Sequence, residues 1–193
     1  MSRSVPDWAR RAEGAIGTVI DGTGAATAWV GLALVLVVAA NVLLRYVFNT
    51  GSVALQELEW HLIAPIALFG MAYGMHKGAH VRVDFLYDRL SGRATAIIDL
   101  IAALMMIGLA AAVVALSVPY VAQSLQLAEG SPDPGGLPYR WLLKAFIPAG
   151  FACFGLQAVA QALHVALQLA QMTSREDAVV EPGRRASEAA ALS

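Results

Sequence analysis

The sequence predicts an all-α integral membrane protein with four transmembrane helices, both termini on the cytoplasmic side, and a short interfacial helix. The chain has 193 residues, of which 58% are hydrophobic and only 14% are charged. An ordinary soluble domain has about 25% charged residues, so this chain could not cover a water-exposed surface. Its apolar residues also form long uninterrupted runs, which is typical of segments whose solvent is lipid.

Four apolar runs account for most of the chain. About 20 apolar residues are needed to cross the hydrocarbon core, and the first run, Gly22 to Leu44, has 23 residues without a charge. The second run is shorter and begins with a half-polar turn that carries Glu57 and Glu59. The third and fourth have 29 and 30 uncharged residues, so we expect them to tilt or to protrude. The predicted spans are about 22–44, 55–76, 98–127 and 144–171.

The positive charges predict the orientation. Cytoplasmic loops carry an excess of Lys and Arg, and ten of the thirteen such residues lie before the first span, between the second and third spans, or in the tail. We therefore expect a cytoplasmic N-terminal arm over residues 1–21, a membrane domain over 22–172 and a disordered cytoplasmic tail over 173–193. The first apolar run lies behind 21 residues of mixed charge, which favours a retained anchor over a cleaved signal peptide.

The two long connections between spans differ in character. Between the second and third spans, four apolar residues from Val83 to Leu90 follow helical spacing, which predicts a short helix along the membrane surface. Between the third and fourth spans, three prolines and two glycines occur from Ser131 to Pro138. Because proline fixes φ and removes a backbone N–H donor, this stretch predicts a rigid elbow. The fourth span is expected to be attached to this elbow at its Trp141 end.

Motifs for catalysis and for self-sufficient transport are absent from the sequence. No span carries Asp, Glu, Lys or Arg in its middle, whereas an ion-coupled carrier needs ligands near the midplane. The sequence has no Gly-rich phosphate loop and no His-Glu-x-x-His motif. We expect no enzyme activity, no metal or cofactor and, at a net charge of −1, no nucleic-acid partner. The single cysteine, Cys153, is interpreted as a small buried apolar residue.

Two interpretations stay open for each group of polar residues near the membrane faces. His76 and His164 could lie at similar depth near the inner face and ligate a haem, or each could simply find a hydrogen-bond partner. At the outer face, Arg45 could form an ion pair with Glu57 or Glu59. Alternatively, the arginine reaches water and the glutamates are solvated.

Small residues on two spans predict close helix packing. Gly70 and Gly74 form a small-xxx-small pair on the second span, and Gly150 and Gly155 lie on the fourth. Such residues let helix backbones approach closely in membranes. They could pack against a partner subunit or only within this chain.

The order of several short motifs resembles a known family. The motifs are Asn41-x-x-x-Arg45-Tyr46-x-Phe48, Gln56-Glu57-Leu58, Gly70-x-x-x-Gly74 and His80-Val81-Arg82-Val83-Asp84. Over about residues 25–170 the chain resembles the small, DctQ-like membrane subunit of tripartite ATP-independent periplasmic (TRAP) transporters. The stretch from Ser131 to Pro148 is similar to the branch labelled mannitol or chloroaromatic. Many members have a Trp shortly before the Glu-Leu pair, where this chain has Gly51 to Leu55.

The resemblance implies a supporting role in a bacterial inner membrane. It implies a large multi-span subunit with the ion and substrate sites, a periplasmic solute-binding protein, and uptake of an organic acid. The small subunit would brace the fixed scaffold of the large one. A haem-bearing electron-transfer subunit and a stand-alone structural membrane protein remain alternatives. The candidate subunit-interface or anchoring residues are Arg45, Glu57, Gly70, Gly74, His80, Asp84, Pro134, Arg140 and Trp141.

Overall fold

The structure, a computed structural model, is built of helices. It describes residues 6–79 and 89–191, and the side chains as far as residue 173. The helices are α1 (Asp7–Val47), α2 (Val53–His76), α3 (Gly92–Gln126) and α4 (Arg140–Ala191). The described ranges contain no strand, so the predicted all-α class is confirmed. The predicted interfacial helix falls mostly on residues 80–88, which lie outside the description.

Three helices are long and apolar enough to cross a membrane within the described ranges: α1, α3 and the Arg140–Thr173 part of α4. The fourth, α2, has 24 residues, or about 36 Å at the rise of an α-helix. Its first turns carry Glu57, Glu59 and His61, which lower its mean hydropathy. It is therefore long enough to cross, but it contains no stretch of 18 residues as apolar as those of the other three.

The helices extend beyond the predicted spans. The N-terminal arm continues the first span as one helix of 41 residues from Asp7. α3 begins at Gly92, six residues before the predicted span, because the Ser91 hydroxyl accepts a hydrogen bond in its first turn. α4 is helical to Ala191, where the sequence predicts a disordered tail from residue 173. Ala and Glu favour helix, and extending an existing helix is far easier than nucleating one.

α4 is the centre of the packing. It contacts α3, α2 and α1, and α1 also packs on α2. α3 contacts α4 through a stripe of small residues that recurs every seventh position, which keeps one side of a helix on its neighbour. The members of this stripe are Ala96, Ala103, Ala110, Ser117 and Ser124. Their small side chains let the two backbones come close.

Glycines bring neighbouring helices into close contact. A Cβ at Gly150 would lie 2.6 Å from Leu68 Cβ on α2, and one at Gly155 would lie 2.9 Å from Ala110 Cβ on α3. On α1, Gly24 faces α2 in the same way. Gly150 and Gly155 therefore pack within this chain, which is one of the two interpretations left open by the sequence.

Residues 127–139 form the elbow between α3 and α4. They contain no helix or strand, as the prolines predict. Ser131 N–H donates to the Leu137 carbonyl at 3.1 Å, and Gly136 N–H donates to the Asp133 carbonyl at 3.0 Å. The elbow therefore closes on itself through its own backbone.

Most apolar side chains face away from the rest of the chain. Only 6%, 11% and 17% of the most apolar windows of α1, α3 and α4 are buried. Trp29, Met105 and Leu116 are each more than 70% exposed. Soluble proteins rarely expose apolar surface on this scale, so these faces require lipid or partner helices.

Candidate functional site

Glu57 holds the elbow to α2. Its carboxylate accepts hydrogen bonds from the Ser131 hydroxyl and from the Leu137 N–H, the latter at 2.6 Å. A Cβ at Gly136 would overlap the Ser131 side chain, so this close approach needs glycine at that position. The contact joins residues more than 70 positions apart. It makes Glu57 the link between the second helix and the connection that follows the third.

Arg45 forms no ion pair with Glu57 or Glu59 among the described residues. Arg45 is exposed, and Glu59 instead accepts a hydrogen bond from the buried Asn41 Nδ2 at 2.8 Å. An amide within an apolar helix needs a polar partner, and Glu59 supplies it. The α1–α2 hairpin is therefore joined by an amide–carboxylate hydrogen bond, and the structure contains no Arg45 ion pair within the hairpin.

A second carboxylate links the end of α3 to the start of α4. Glu129 forms an ion pair with Lys144 and accepts a hydrogen bond from the Ser124 hydroxyl at 2.7 Å. The hydrogen bond from Lys144, helped by that from Ser124, holds the pKa of Glu129 below its usual value. Lys144 Nζ also lies 4.1 Å from the centroid of the Tyr120 ring, a cation–π arrangement. The end of α3 is thus fixed to the first turns of α4.

A cavity of about 610 Å³, the elbow cavity, lies between α2, α4 and the end of α3. Its walls carry Arg140 and Trp60 near the elbow and Ile147 further along α4. His61 lines it too, and His61 Nε2 is buried without a hydrogen-bond partner among the described residues. His61 Nδ1 lies 2.8 Å from the Glu57 carbonyl. Because a carbonyl only accepts, Nδ1 carries the proton and Nε2 is an acceptor in the neutral ring.

The opposite end of the helices holds a second polar group, the histidine cluster of Glu13, Asp21, His76, Lys77 and His164. Asp21 Oδ1 lies 2.6 Å from Lys77 Nζ and 3.7 Å from His76 Nε2. Glu13 Oε1 lies 3.5 Å from His164 Nδ1. The hydrogen bond to Asp21 raises the pKa of Lys77. These contacts join α1 to both α2 and α4 at this end.

The geometry gives no support to a haem between the two histidines. His76 and His164 do share a cavity, as a similar depth implies, but its volume is only about 230 Å³. Cofactor pockets are typically about 300–1,000 Å³. His164 Nε2 is also within 2.8 Å of Gln168 Nε2. No group of three metal-ligating side chains occurs in the part of the chain that the structure describes.

Residues 34–168 match the family model for the DctQ component of tripartite ATP-independent periplasmic transporters. The match covers well over half of the chain and includes α2, α3 and the elbow. The chain belongs to the DctQ family. This confirms the resemblance seen in the sequence, and the family is one of transporter components rather than enzymes. No curated protein matches the sequence closely enough to be reported as a relative.

Two candidate glycines of this DctQ chain have no close neighbour on the other described helices. A Cβ on Gly70 or Gly74 would meet no atom of another described helix within 4 Å. Gly150, in contrast, is covered by Leu68 of α2. Among the described residues no other helix covers the Gly70–Gly74 pair, so the structure gives no support to its packing within the chain. The bare pair is available to lipid or to a partner helix.

The other candidate residues are spread over the elbow end. Pro134 is exposed at the turn of the elbow, Arg140 begins α4 and lines the elbow cavity, and Trp141 beside it is half-buried. His80 and Asp84 lie outside the part of the chain that the structure describes. The structure therefore brings Glu57 and Arg140 to one cavity and leaves Arg45 outside it.

Sequence reasoning missed most of the partners of these residues in the DctQ chain. Glu129 and Lys144 flank the elbow with opposite charges, and that pattern could have predicted their ion pair. The contact between Glu57 and Ser131 has no comparable signal, because the two residues are 74 positions apart. The role of Asn41 as a donor to another helix is also invisible without knowing which helix faces it.

Proposed function

We propose that this DctQ chain is the small permease subunit of a TRAP transporter, and that it braces the large ion-coupled subunit. In this role it supports the uptake of an organic acid that a periplasmic binding protein delivers. The exposure of its apolar helices carries the proposal, since so little of each candidate span is buried inside the chain. Helices that cover one another this sparsely need lipid or other helices around them. The uncharged middles of the spans favour a brace over a carrier.

The proposed arrangement is a four-span protein of the bacterial inner membrane with both termini in the cytoplasm. α2 is the fourth span, the elbow lies on the periplasmic side, and the histidine cluster lies on the cytoplasmic side. The distribution of Lys and Arg supports this orientation. The contact of Glu57 with the elbow supports the crossing of α2, because it brings the start of α2 level with the α3–α4 connection.

The bare Gly70–Gly74 pair on α2 is the proposed contact with the large subunit. Gly70→Leu should lower the amount of large subunit that co-purifies with the chain, because a bulky side chain prevents close backbone approach. Gly108→Leu is a matched control on α3, since a Cβ there also meets nothing within 4 Å. Neither change should alter the thermal stability of the chain alone. Unchanged recovery of the large subunit with Gly70→Leu would count against this surface.

Reconstitution into vesicles tests the role itself. The chain alone should accumulate no organic acid under an ion gradient, whereas the chain with its large subunit and binding protein should do so. Ion-driven uptake by the chain in isolation would overturn the proposal. A chain that remains stable but never co-purifies with a large subunit would instead favour a stand-alone structural protein.

A further inference from the structure

The walls of the elbow cavity carry two charged side chains that make no hydrogen bond or ion pair among the described residues. Glu57 accepts hydrogen bonds from the elbow, and Lys144 is paired with Glu129. The remaining charged groups on the walls are the Arg140 guanidinium and the Asp133 carboxylate. Neither side chain has a hydrogen-bond or ion-pair partner among the described residues. The cavity therefore presents one cation and one anion that lack a direct partner among these residues, with the Arg140 charge also acting through space on Glu57 and Glu129.

The polarity of the cavity changes along the helix axes. The charged groups lie at the elbow, where Trp60 and Tyr120 are 66% and 48% exposed. Ala64 and Ile147 lie one to two turns further along α2 and α4. Trp and Tyr are enriched at the headgroup level of a bilayer. A polar rim above an apolar wall matches the polarity of an amphiphile that stands parallel to the helices.

The cavity also lies where two helices fail to meet. α2 and α3 each pack on α4, but they are not among the helix pairs in extended contact with each other. The elbow cavity occupies the space between α2 and the end of α3. In the proposed membrane arrangement this gap opens sideways into the lipid, so a lipid can enter without passing through water.

We propose that the elbow cavity binds the head of a phospholipid that carries both a phosphate and a primary ammonium group, as phosphatidylethanolamine does. The phosphate accepts charge-assisted hydrogen bonds from Arg140, and the ammonium donates to Asp133. The acyl chains follow the apolar wall past Ala64 and leave through the gap between α2 and α3. The buried acceptor at His61 Nε2 suits a donor-bearing head or its bound water. This site is additional to the bracing role and does not require it.

Two other common lipid heads fit the same charges less well. A choline head carries no N–H and cannot donate to Asp133. A glycerol head carries the same phosphate but no ammonium, so nothing on it donates charge-assisted hydrogen bonds to Asp133 or offsets the carboxylates of Asp133 and Glu57. Comparing the binding of lipids with an ammonium, a choline and a glycerol head therefore tests the roles of Arg140 and Asp133 together.

Native mass spectrometry of the full chain, released from detergent with added lipid, measures this choice. Phosphatidylethanolamine should give about tenfold more lipid-bound chain than phosphatidylcholine or phosphatidylglycerol, since each free charge supplies a charge-assisted contact. Arg140→Gln and Asp133→Asn should each lower that binding severalfold. Arg45→Gln is the matched control, because it removes an exposed cation at the same end but outside the cavity.

Several outcomes would overturn the proposal. These are equal binding of the ammonium and choline lipids, a preference for phosphatidylglycerol, or unchanged binding in Asp133→Asn. Asp133 is exposed on the elbow, so its variant should fold even if Arg140→Gln does not. Competition by free phosphoethanolamine as strong as by the lipid would show that the acyl chains contribute nothing. Loss of the large subunit from both variants with lipid binding unchanged would show that the cavity receives protein.

Discussion

At the scale of single residues, carboxylates hold the connections of this DctQ chain. Glu57 fixes the elbow to α2, Glu59 fixes α2 to Asn41 of α1, and Glu129 fixes the end of α3 to α4. Each accepts from a donor that would otherwise lack a partner in an apolar environment, and an unpaired buried polar group is costly. These acidic side chains therefore act as structural acceptors at the elbow end.

Removal of the Glu57 carboxylate should loosen the elbow. Glu57→Ala leaves the Ser131 hydroxyl and the Leu137 N–H without their acceptor, so the melting temperature of the chain in detergent should fall. Proteolysis within residues 127–139 should become faster. The neighbouring change Gln56→Ala removes an exposed side chain and serves as the control. Identical melting and proteolysis in the two variants would contradict the proposed link.

The ion pair of Glu129 predicts a dependence of stability on acidic pH. The pKa of Glu129 is held below its ordinary value of 4.5. The stabilisation that the charged carboxylate gives the folded chain is therefore fully present above about pH 4.5, and it is lost as the pH falls through the lowered pKa of the folded state. The melting temperature should therefore exceed that of Glu129→Gln at pH 7, and the difference should shrink below pH 4.5. A difference that stays constant from pH 7 to pH 3 would show that the carboxylate charge is not involved.

At the scale of helices, small residues determine which surfaces meet. The seven-residue stripe of α3 lies on α4, and Gly150 of α4 lies on Leu68 of α2. Only van der Waals packing and a few hydrogen bonds favour helix contact in lipid, so close backbone approach matters more than hydrophobicity. α4 therefore packs against α3 and α2 through two different surfaces.

A large side chain in the α3 stripe should separate α3 from α4. Ala103 is fully buried, and Ala103→Leu should lower the free energy of unfolding by about 1–3 kcal/mol, the usual effect of overpacking. Met105 is 71% exposed, so Met105→Leu should have almost no effect. Unfolding in a denaturing detergent series measures both. Equal stability of the two variants would show that the stripe does not form the contact.

At the scale of the whole molecule, polar groups occupy the two ends and apolar surface lies between them. The polar groups at the elbow and the histidine cluster are separated by helices that expose most of their apolar side chains. This distribution fits a bilayer whose two interfaces lie at the two clusters. The proposed orientation places the elbow outside and the N-terminal part of α1 inside.

Cysteine labelling of intact cells tests that orientation. In a Cys153→Ser background, Gly130→Cys in the elbow should react with a membrane-impermeant thiol reagent. Trp8→Cys, an exposed position near the start of α1, should react only after the membrane is permeabilised. The reverse pattern would invert the orientation, and reaction of both positions in intact cells would exclude three crossings between them.

The sequence predicted the elements better than their relations. The apolar runs predicted the existence of α1, α3 and α4 and a shorter second helix, and the prolines predicted the elbow. α3 begins six residues before the predicted span, because the Ser91 cap starts the helix and hydropathy marks only its apolar part. Proximity along the chain left an Arg45 ion pair open, but the face of α2 that carries Glu57 turns toward the elbow.

Local patterns by themselves therefore determined that this chain is helical, that lipid is its solvent and that it belongs to the DctQ family, because hydropathy and short motifs are properties of neighbouring residues. Only the tertiary structure decided that Glu57 receives the elbow, that Gly150 is covered while Gly70 is bare, and that Arg140 and Asp133 share a cavity. Those facts depend on how each helix is rotated about its axis. In a membrane that rotation is chosen by the fit of small and polar side chains across helices distant in sequence.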